Sequence, residues 1–270
     1  MFWFGSRMLS TNMGIPLQVS IFVISDPVGQ KLGVGGSTLH VLTELLKNYS
    51  NELYTKNILI IHSGGSSQRL PSYSVIGKIF TPVACKGLQC DSSVPQMLKL
   101  KFAMYLPFCQ LLEPGVFVTC ADDIETYCLD LDALDLEALK TADVVALAHP
   151  SDVKMGEGHG VYVFEGREVE TASFVNAVKD CSEVLQKPSE SAMREKGAVF
   201  MRDNNGTLKE KVWSDSVFWF SGSVCKKLVT WMVRMQFASD HRVGYLCPLF
   251  TLLGHQDENC KTFRLQELPF

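Results

Sequence analysis

Two glycine clusters, two cations and a pair of adjacent carboxylates in the first half of this 270-residue chain are the groups best suited to chemistry. The segment 58–83, ILIIHSGGSSQRLPSYSVIGKIFTPV, joins an apolar β-branched run to Gly64 and Gly65 and then to Arg69 and Lys78. Small residues after a strand let backbone N–H groups approach an anion closely. A guanidinium and an ammonium beside such a loop would meet the same phosphate. A second cluster, Gly33, Gly35 and Gly36, precedes Ser37, Thr38 and apolar residues at Leu39, Val41, Leu42, Leu45 and Leu46. That spacing predicts a helix over 38–47, whose unpaired first-turn N–H groups and dipole form an anion site. On this segment alone, a plain strand-to-helix turn capped by Ser37 or Thr38 fits equally well. Asp122 and Asp123 follow the apolar run GVFVTC at 115–120. Two carboxylates at the C-terminal end of a strand suit either Mg²⁺ shared with substrate phosphates or the start of a helix.

A sheet is needed to hold these groups. Strands are expected at 17–24, 58–61, 115–120, 144–148, 160–166 and 211–221, with the first two joined through the 38–47 helix in a right-handed β-α-β unit. Further helices are expected at 97–106, opened by Pro95, and at 131–139. Asn204-Asn205-Gly206 signals a hairpin turn, and Trp213 and Trp219 read as core or sheet-face residues. The expected fold class is α/β: a mixed, mostly parallel sheet with flanking helices. The expected divisions are a poorly ordered 1–16, a core at 17–232, and an irregular, loosely packed tail at 233–270.

With 46% hydrophobic and 20% charged residues the composition is that of a globular domain. A net charge of −4 gives no broad attraction for nucleic acid, so phosphate recognition is expected to be local and the ligand small. The nine cysteines form no C-x-x-C pair, which argues for reduced thiols and against a zinc site. No apolar run reaches the roughly 18 residues of a membrane span. A cytoplasmic protein without membrane contact is expected, and its oligomeric state is not readable from the sequence.

The string GGxxxRLP followed by GKxFxPV resembles the signature of sugar nucleotidyltransferases. GVGGSTL, HSGGSSQRLPSYSVIGKIFTPV, PQMLKLKFAMY, VTCADDIE and VWSDSVFWFS, in that order, resemble the fucose-1-phosphate guanylyltransferase family over roughly 23–228. The resemblance implies a Rossmann-like nucleotidyltransferase core, GTP and β-L-fucose-1-phosphate as substrates, GDP-L-fucose and pyrophosphate as products, and Mg²⁺ as cofactor. By the same resemblance, Gly35, Gly36, Ser37, Thr38, Gly64 and Gly65 would surround the triphosphate. Arg69 and Lys78 would stabilise the departing pyrophosphate, Asp122 and Asp123 would hold Mg²⁺, and Gln96 would lie near the guanine. Lys187 resembles the lysine of an E-K-P element, with Gln186 replacing the glutamate, and Asp215 falls where that family places its sugar-binding N-x-G-x-Y-x-F segment. Family members are longer, so their C-terminal β-helix region is expected to be absent here, and TWMVRMQFASDHRVGYLCPLF stands where an acidic E-x-D-x-Y-x-D run belongs. The competing expectation is a chain that keeps part of the nucleotide-binding fold without turning over. A dinucleotide-binding dehydrogenase fits less well, because GVGGST lacks the full G-x-G-x-x-G spacing and no acid ends the next strand.

Overall fold

A computed structural model describes residues 19–27, 32–63, 72–73, 77–83, 96–125, 135–164, 169–170, 178–204, 207–237 and 263–267. The helices are α1 (Gly33–Tyr49), α2 (Met97–Leu111), α3 (Leu136–Thr141), α4 (Val153–Gly156), α5 (Glu190–Glu195) and α6 (Gly222–Phe237). The strands are β1 (Ile58–His62), β2 (Gly115–Cys120), β3 (Val144–Asp152), β4 (Gly160–Phe164), β5 (Val169–Glu170), β6 (Val178–Gln186), β7 (Phe200–Asn204), β8 (Thr207–Ser221) and β9 (Phe263–Glu267).

The strands form one sheet in the order β1-β2-β8-β3-β9-β6-β4, with β7 and β4 also pairing with β8. Successive side chains of a strand point to opposite faces, and the core divides accordingly. On one face α1 and α6 bury Leu39, Leu42, Leu228 and Val229 against Ile60, Val116, Val118 and Phe220. On the other, α2 and α3 bury Met104, Tyr105, Phe108 and Leu139 against Phe117, Val145 and Trp219. The result is three layers, helix on sheet on helix.

The mixed sheet with flanking helices is as the sequence suggests, but the pairing is not mostly parallel. Among the described strands β1–β2, β3–β9 and β5–β7 run parallel, whereas β2–β8, β3–β8, β4–β8, β7–β8, β4–β6 and β6–β9 run antiparallel. The cause is β8, whose 15 residues run antiparallel to four neighbours.

The strand expected at 17–24 is also absent: residues 19–24 carry no strand, and 17 and 18 lie outside the described residues. β1 pairs directly with β2 from Ile58↔Val116 to His62↔Cys120, so the predicted β-α-β unit does not form. The 19–27 segment instead lies against α1, with the Phe22 ring edge-on to Tyr49 at 5.9 Å and His40 Nε2 3.2 Å from Ser25 O.

Helix 97–106 extends to Leu111, and its predicted opener Pro95 lies outside the described residues. The register Asn204↔Thr207 leaves a two-residue connection at the predicted Asn-Gly turn. Trp213 and Trp219 are buried, the former stacked on Phe200. The irregular pattern expected from 233 gives way to helix through Phe237 and to a strand at Phe263–Glu267, which pairs with β3 and β6. Residues 1–16 and 238–262 lie outside the described residues. No helix among the described residues is long and apolar enough to cross a membrane.

Candidate active site

Strand pairing opens a crevice along one edge of β8. The β2 register on that edge ends at Val118↔Phe218, and the β4 register begins at Val161↔Ser214. Asp215, Ser216 and Val217 therefore lie between the carboxyl end of β2 and the start of β4. β1, β2 and β3 share a direction, so His62, the 121–125 segment and His149 gather on the same side. Crevices at the carboxyl ends of strands are where open α/β sheets bind ligands.

On the β2 side, Lys78 Nζ lies 2.6 Å from Asp122 Oδ2. Lys78 opens a 3₁₀ turn after Gly77, whose φ of +95° is the left-handed region where a side chain would be strained. That turn is fastened to the start of α2 by the Pro82↔Gln96 bridge and by Met97 N–H donating to Thr81 O at 2.9 Å. Gln96 occupies the N-cap position of α2, its carbonyl accepting from Lys99 N–H at 3.0 Å. Arg69, Gly64 and Gly65 lie outside the described residues.

Behind Asp122 is a buried ionic cluster. Lys101, fully buried on α2, binds Asp123 and lies 3.7 Å from Glu125. Tyr105 and Ser216 donate their hydroxyls to Glu125, and Thr119 donates to the Tyr105 oxygen at 3.0 Å. Burial, then hydrogen bonding and charge from Glu125, push Asp123 up to about 6. Glu125 is lowered despite its own burial, because Asp123, Ser216, Tyr105 and Lys101 favour its ionised form. Cys120 is pushed up to about 11 by burial, then by Asp123 and Asp122, with Asp215 adding to the effect.

The carboxylates separate when tested as metal ligands. Mg²⁺ usually takes one or two protein carboxylates beside substrate phosphates. Asp122, about half exposed with Lys78 on Oδ2, fits that role. Asp123 fits it poorly, since its carboxylate is committed to Lys101 and Glu125. Among the described residues no group of three or more His, Cys, Asp and Glu forms a metal cage.

Gly33, Gly35 and Gly36 form the first turn of α1, not a loop, and Leu32 rather than Ser37 or Thr38 takes the N-cap position, without a side-chain cap bond. Both hydroxyls are used elsewhere. Ser37 donates to Asp26 Oδ1 at 2.6 Å, so a carboxylate already stands at this helix end. Thr38 donates to Val34 O at 2.9 Å. Its single proton being spent, it accepts from His62 Nε2–H at 2.8 Å, which ties the end of β1 to α1.

Burial lowers the pKa of His62 and keeps it neutral. In the unfolded chain His62 binds a proton more readily, so the stability it contributes is present above pH ~6.5 and is lost as pH falls below it. The thermal midpoint is expected to drop between pH 7.5 and pH 5.5, and His62→Gln, which retains a donor for Thr38, should make that drop shallower. An equal drop in both proteins would show that His62 is not the titrating group.

On the β4 side, the Asp215 carboxylate accepts from Gly160 N–H, and His159 Nδ1 lies 3.6 Å from Oδ1. A Cβ on Gly160 would stand 2.6 Å from Asp215 Oδ2, so only glycine allows this approach. Burial raises the Asp215 pKa against the lowering effect of those partners. Lys187, at φ +46°, donates its N–H to His159 O at 3.0 Å, so its turn is stapled to the same corner. Ser214 Oγ lies 3.1 Å from His149 Nε2 and 2.7 Å from Ser151 Oγ.

Of the residues singled out in the sequence, the structure places Lys78, Asp122, Lys187 and Asp215 around one crevice, beside His62, Lys101, Tyr105, Glu125 and His159, which the sequence reading does not single out. A signal existed for Lys101, a cation four residues from both Met97 and Tyr105 on the apolar stripe of its helix.

A helix-flanked open sheet with a lysine–aspartate pair at the carboxyl end of β2 defines the class: an open-sheet α/β protein. The Fucose pyrophosphorylase domain family matches residues 50–262, and the chain belongs to that family. It is 37% identical over 240 residues to human (Homo sapiens) fucose-1-phosphate guanylyltransferase, covering 82% of this chain and 37% of that protein. It is 36% identical over 228 residues to the mouse (Mus musculus) fucose-1-phosphate guanylyltransferase, covering 80% of this chain and 37% of that one. The chain thus spans 37% of the length of these two relatives. A solved UDP-glucose pyrophosphorylase complexed with UDP-glucose aligns over 79% of this chain and 90% of its own, with 10% identity and a TM-score of 0.42.

Proposed function

We propose that this chain transfers GMP from GTP to L-fucose-1-phosphate, giving GDP-L-fucose and pyrophosphate. The observation that carries this reading is the crevice on β8, with the Lys78–Asp122 pair at one end and Asp215, His159 and Lys187 at the other. Family membership supplies the reaction. A phosphate oxygen of the sugar phosphate attacks the α-phosphorus of GTP in line, the bond to the bridging oxygen breaks, and the electron pair leaves with pyrophosphate. No proton transfer is needed at phosphorus, so the protein's task is positioning and charge neutralisation.

Lys78, joined by Arg69, stabilises the charge gathering on the pyrophosphate. Gly64 and Gly65 present N–H groups to the triphosphate, with Gln96 near the base; α1 has free N–H groups only as far as Gly35 and carries the Asp26 carboxylate on Ser37, so Gly36, Ser37 and Thr38 lend their N–H groups to the helix and not to the nucleotide. Lys187 holds the sugar phosphate, and Asp215, oriented by Gly160 and His159, accepts sugar hydroxyls. Mg²⁺ on Asp122 would shield the triphosphate; Asp123 serves it through its neighbour. The reading includes a cytoplasmic location, consistent with the unpaired Cys109, Cys120, Cys181 and Cys225 among the described residues.

Incubation with GTP, Mg²⁺ and β-L-fucose-1-phosphate should release pyrophosphate and form GDP-L-fucose in equal amounts. A GTP-dependent rise in melting temperature without either product would reduce the function to nucleotide binding. Asp122→Asn, which loses the charge and keeps the shape, should raise the Mg²⁺ concentration for half-maximal turnover about tenfold or more. An identical Mg²⁺ dependence in both proteins would remove Asp122 as a ligand.

A further inference from the structure

Residues 121–125 leave β2 through a bend at Ala121 and Asp122, and their side chains alternate in burial. Ala121 and Glu125 point inward and Asp123 is half-buried, whereas Asp122 and Ile124 are more than half exposed. Asp122 is joined by the backbone to Ala121 and Asp123, so anchoring those two neighbours limits the directions its carboxylate can take. The inward residues are fixed. Ala121 N–H donates to His62 O at 3.1 Å, while Asp123 and Glu125 converge on Lys101. Tyr105, one turn along α2 from Lys101, donates to Glu125, accepts from Thr119 and lies 3.2 Å from Lys101 Nζ. Ser216 on β8 donates to the other Glu125 oxygen. Helix, both strands and the segment between them thus meet at one buried ammonium.

We propose that Lys101 is a positioning residue for nucleotidyl transfer: by holding Asp123 and Glu125 inside, it aims Asp122, the residue just before them, at Lys78 and at the crevice. The proposal rests on the reading of Asp122 given above. Lys101 itself is fully buried and does not reach substrate. A buried lysine is costly unless paired, and charge balance alone would also account for one cation among two acids. The two roles differ in what happens when charge and tether are removed together.

The test uses the full chain carrying Lys101→Met with Asp123→Asn, which deletes one charge of each sign. Amide hydrogen exchange over 121–125 should quicken about tenfold while the β3 and α6 amides keep their protection. Turnover with GTP and fucose-1-phosphate should fall about 10- to 100-fold, the usual effect of losing a partner that orients a metal-binding group, while KM for GTP stays within about twofold. Wild-type exchange in this segment, or wild-type turnover, would overturn the proposal and leave Lys101 as charge balance only. Should the double variant not fold, Tyr105→Phe decides the matter. It removes one hydroxyl and keeps the ring, and is expected to quicken exchange at 121–125 several-fold; unchanged exchange would overturn the proposal. A wild-type chain without turnover would defeat the functional reading, whereas the exchange measurement would still report whether Lys101 holds the segment.

Discussion

Lys78→Ala is expected to lower the rate of pyrophosphate release about 10²- to 10³-fold, the range seen when one group stabilising transition-state charge is removed. The lysine is well placed for this. Gly77 sets the turn, the fastening to Gln96 and Met97 holds it, and Asp122 at 2.6 Å keeps the ammonium in the crevice when no phosphate is present. An ion pair with one half-exposed partner contributes only about 0–1 kcal/mol to stability, so the variant should melt within a few degrees of the wild type. Its GTP affinity should fall, while affinity for the sugar phosphate holds. Lys187→Ala should show the reverse, because Lys187 belongs to the turn stapled to His159 on the far side of the crevice. Isothermal titration with each ligand separates the two, and unchanged turnover and GTP affinity in Lys78→Ala would take Lys78 out of the site.

The parts legible in the sequence were those where one physical signal dominates. Ile58–His62, Gly115–Cys120 and the start of Val144–Asp152 are β-branched or apolar runs, and they are strands because both faces of the sheet are covered by helices. The Asn-Gly signal at 205–206 falls between Phe200–Asn204 and Thr207–Ser221, which pair antiparallel on either side of it, from Asn204↔Thr207 outward. The misses came from tertiary competition. The 19–24 segment has strand composition, but Ser25, Asp26 and Phe22 find partners on α1, which hold it on the helix and off the sheet, where among the described strands β1 pairs with β2 alone. Sheet direction was misjudged because apolar runs say that a strand is buried, not which way its neighbour runs. Only the antiparallel passage of β8 beside β2, β3 and β4 decides that. At the site, residue type pointed to Lys78, Asp122, Lys187 and Asp215. The orienting groups His62, Tyr105 and Glu125 act through distant partners, and no local spacing reveals them.

Lys101→Met alone, with both carboxylates left in place, should be the most destabilising change at the site. Methionine nearly matches the lysine stem in volume, so packing with Tyr105 is conserved and the loss is electrostatic. Asp123 and Glu125 would then share a buried corner with no cation, and breaking a buried pair by removing one partner costs about 3–5 kcal/mol. For a chain of this size that corresponds to a fall of roughly 6–20 °C in melting temperature. The deficit should depend on pH in a defined direction. Asp123 already sits at about 6 with Lys101 present, and losing the cation raises Asp123 further and takes away one of the groups that lower Glu125. A carboxylate whose folded pKa lies above its unfolded value is less costly when protonated, so the variant should recover toward the wild type as pH falls from 8 to 5. Thermal melts of both proteins across that range test the argument. A deficit that is constant with pH would mean that the loss comes from packing on α2, and that Asp123 and Glu125 do not depend on Lys101 for their charge.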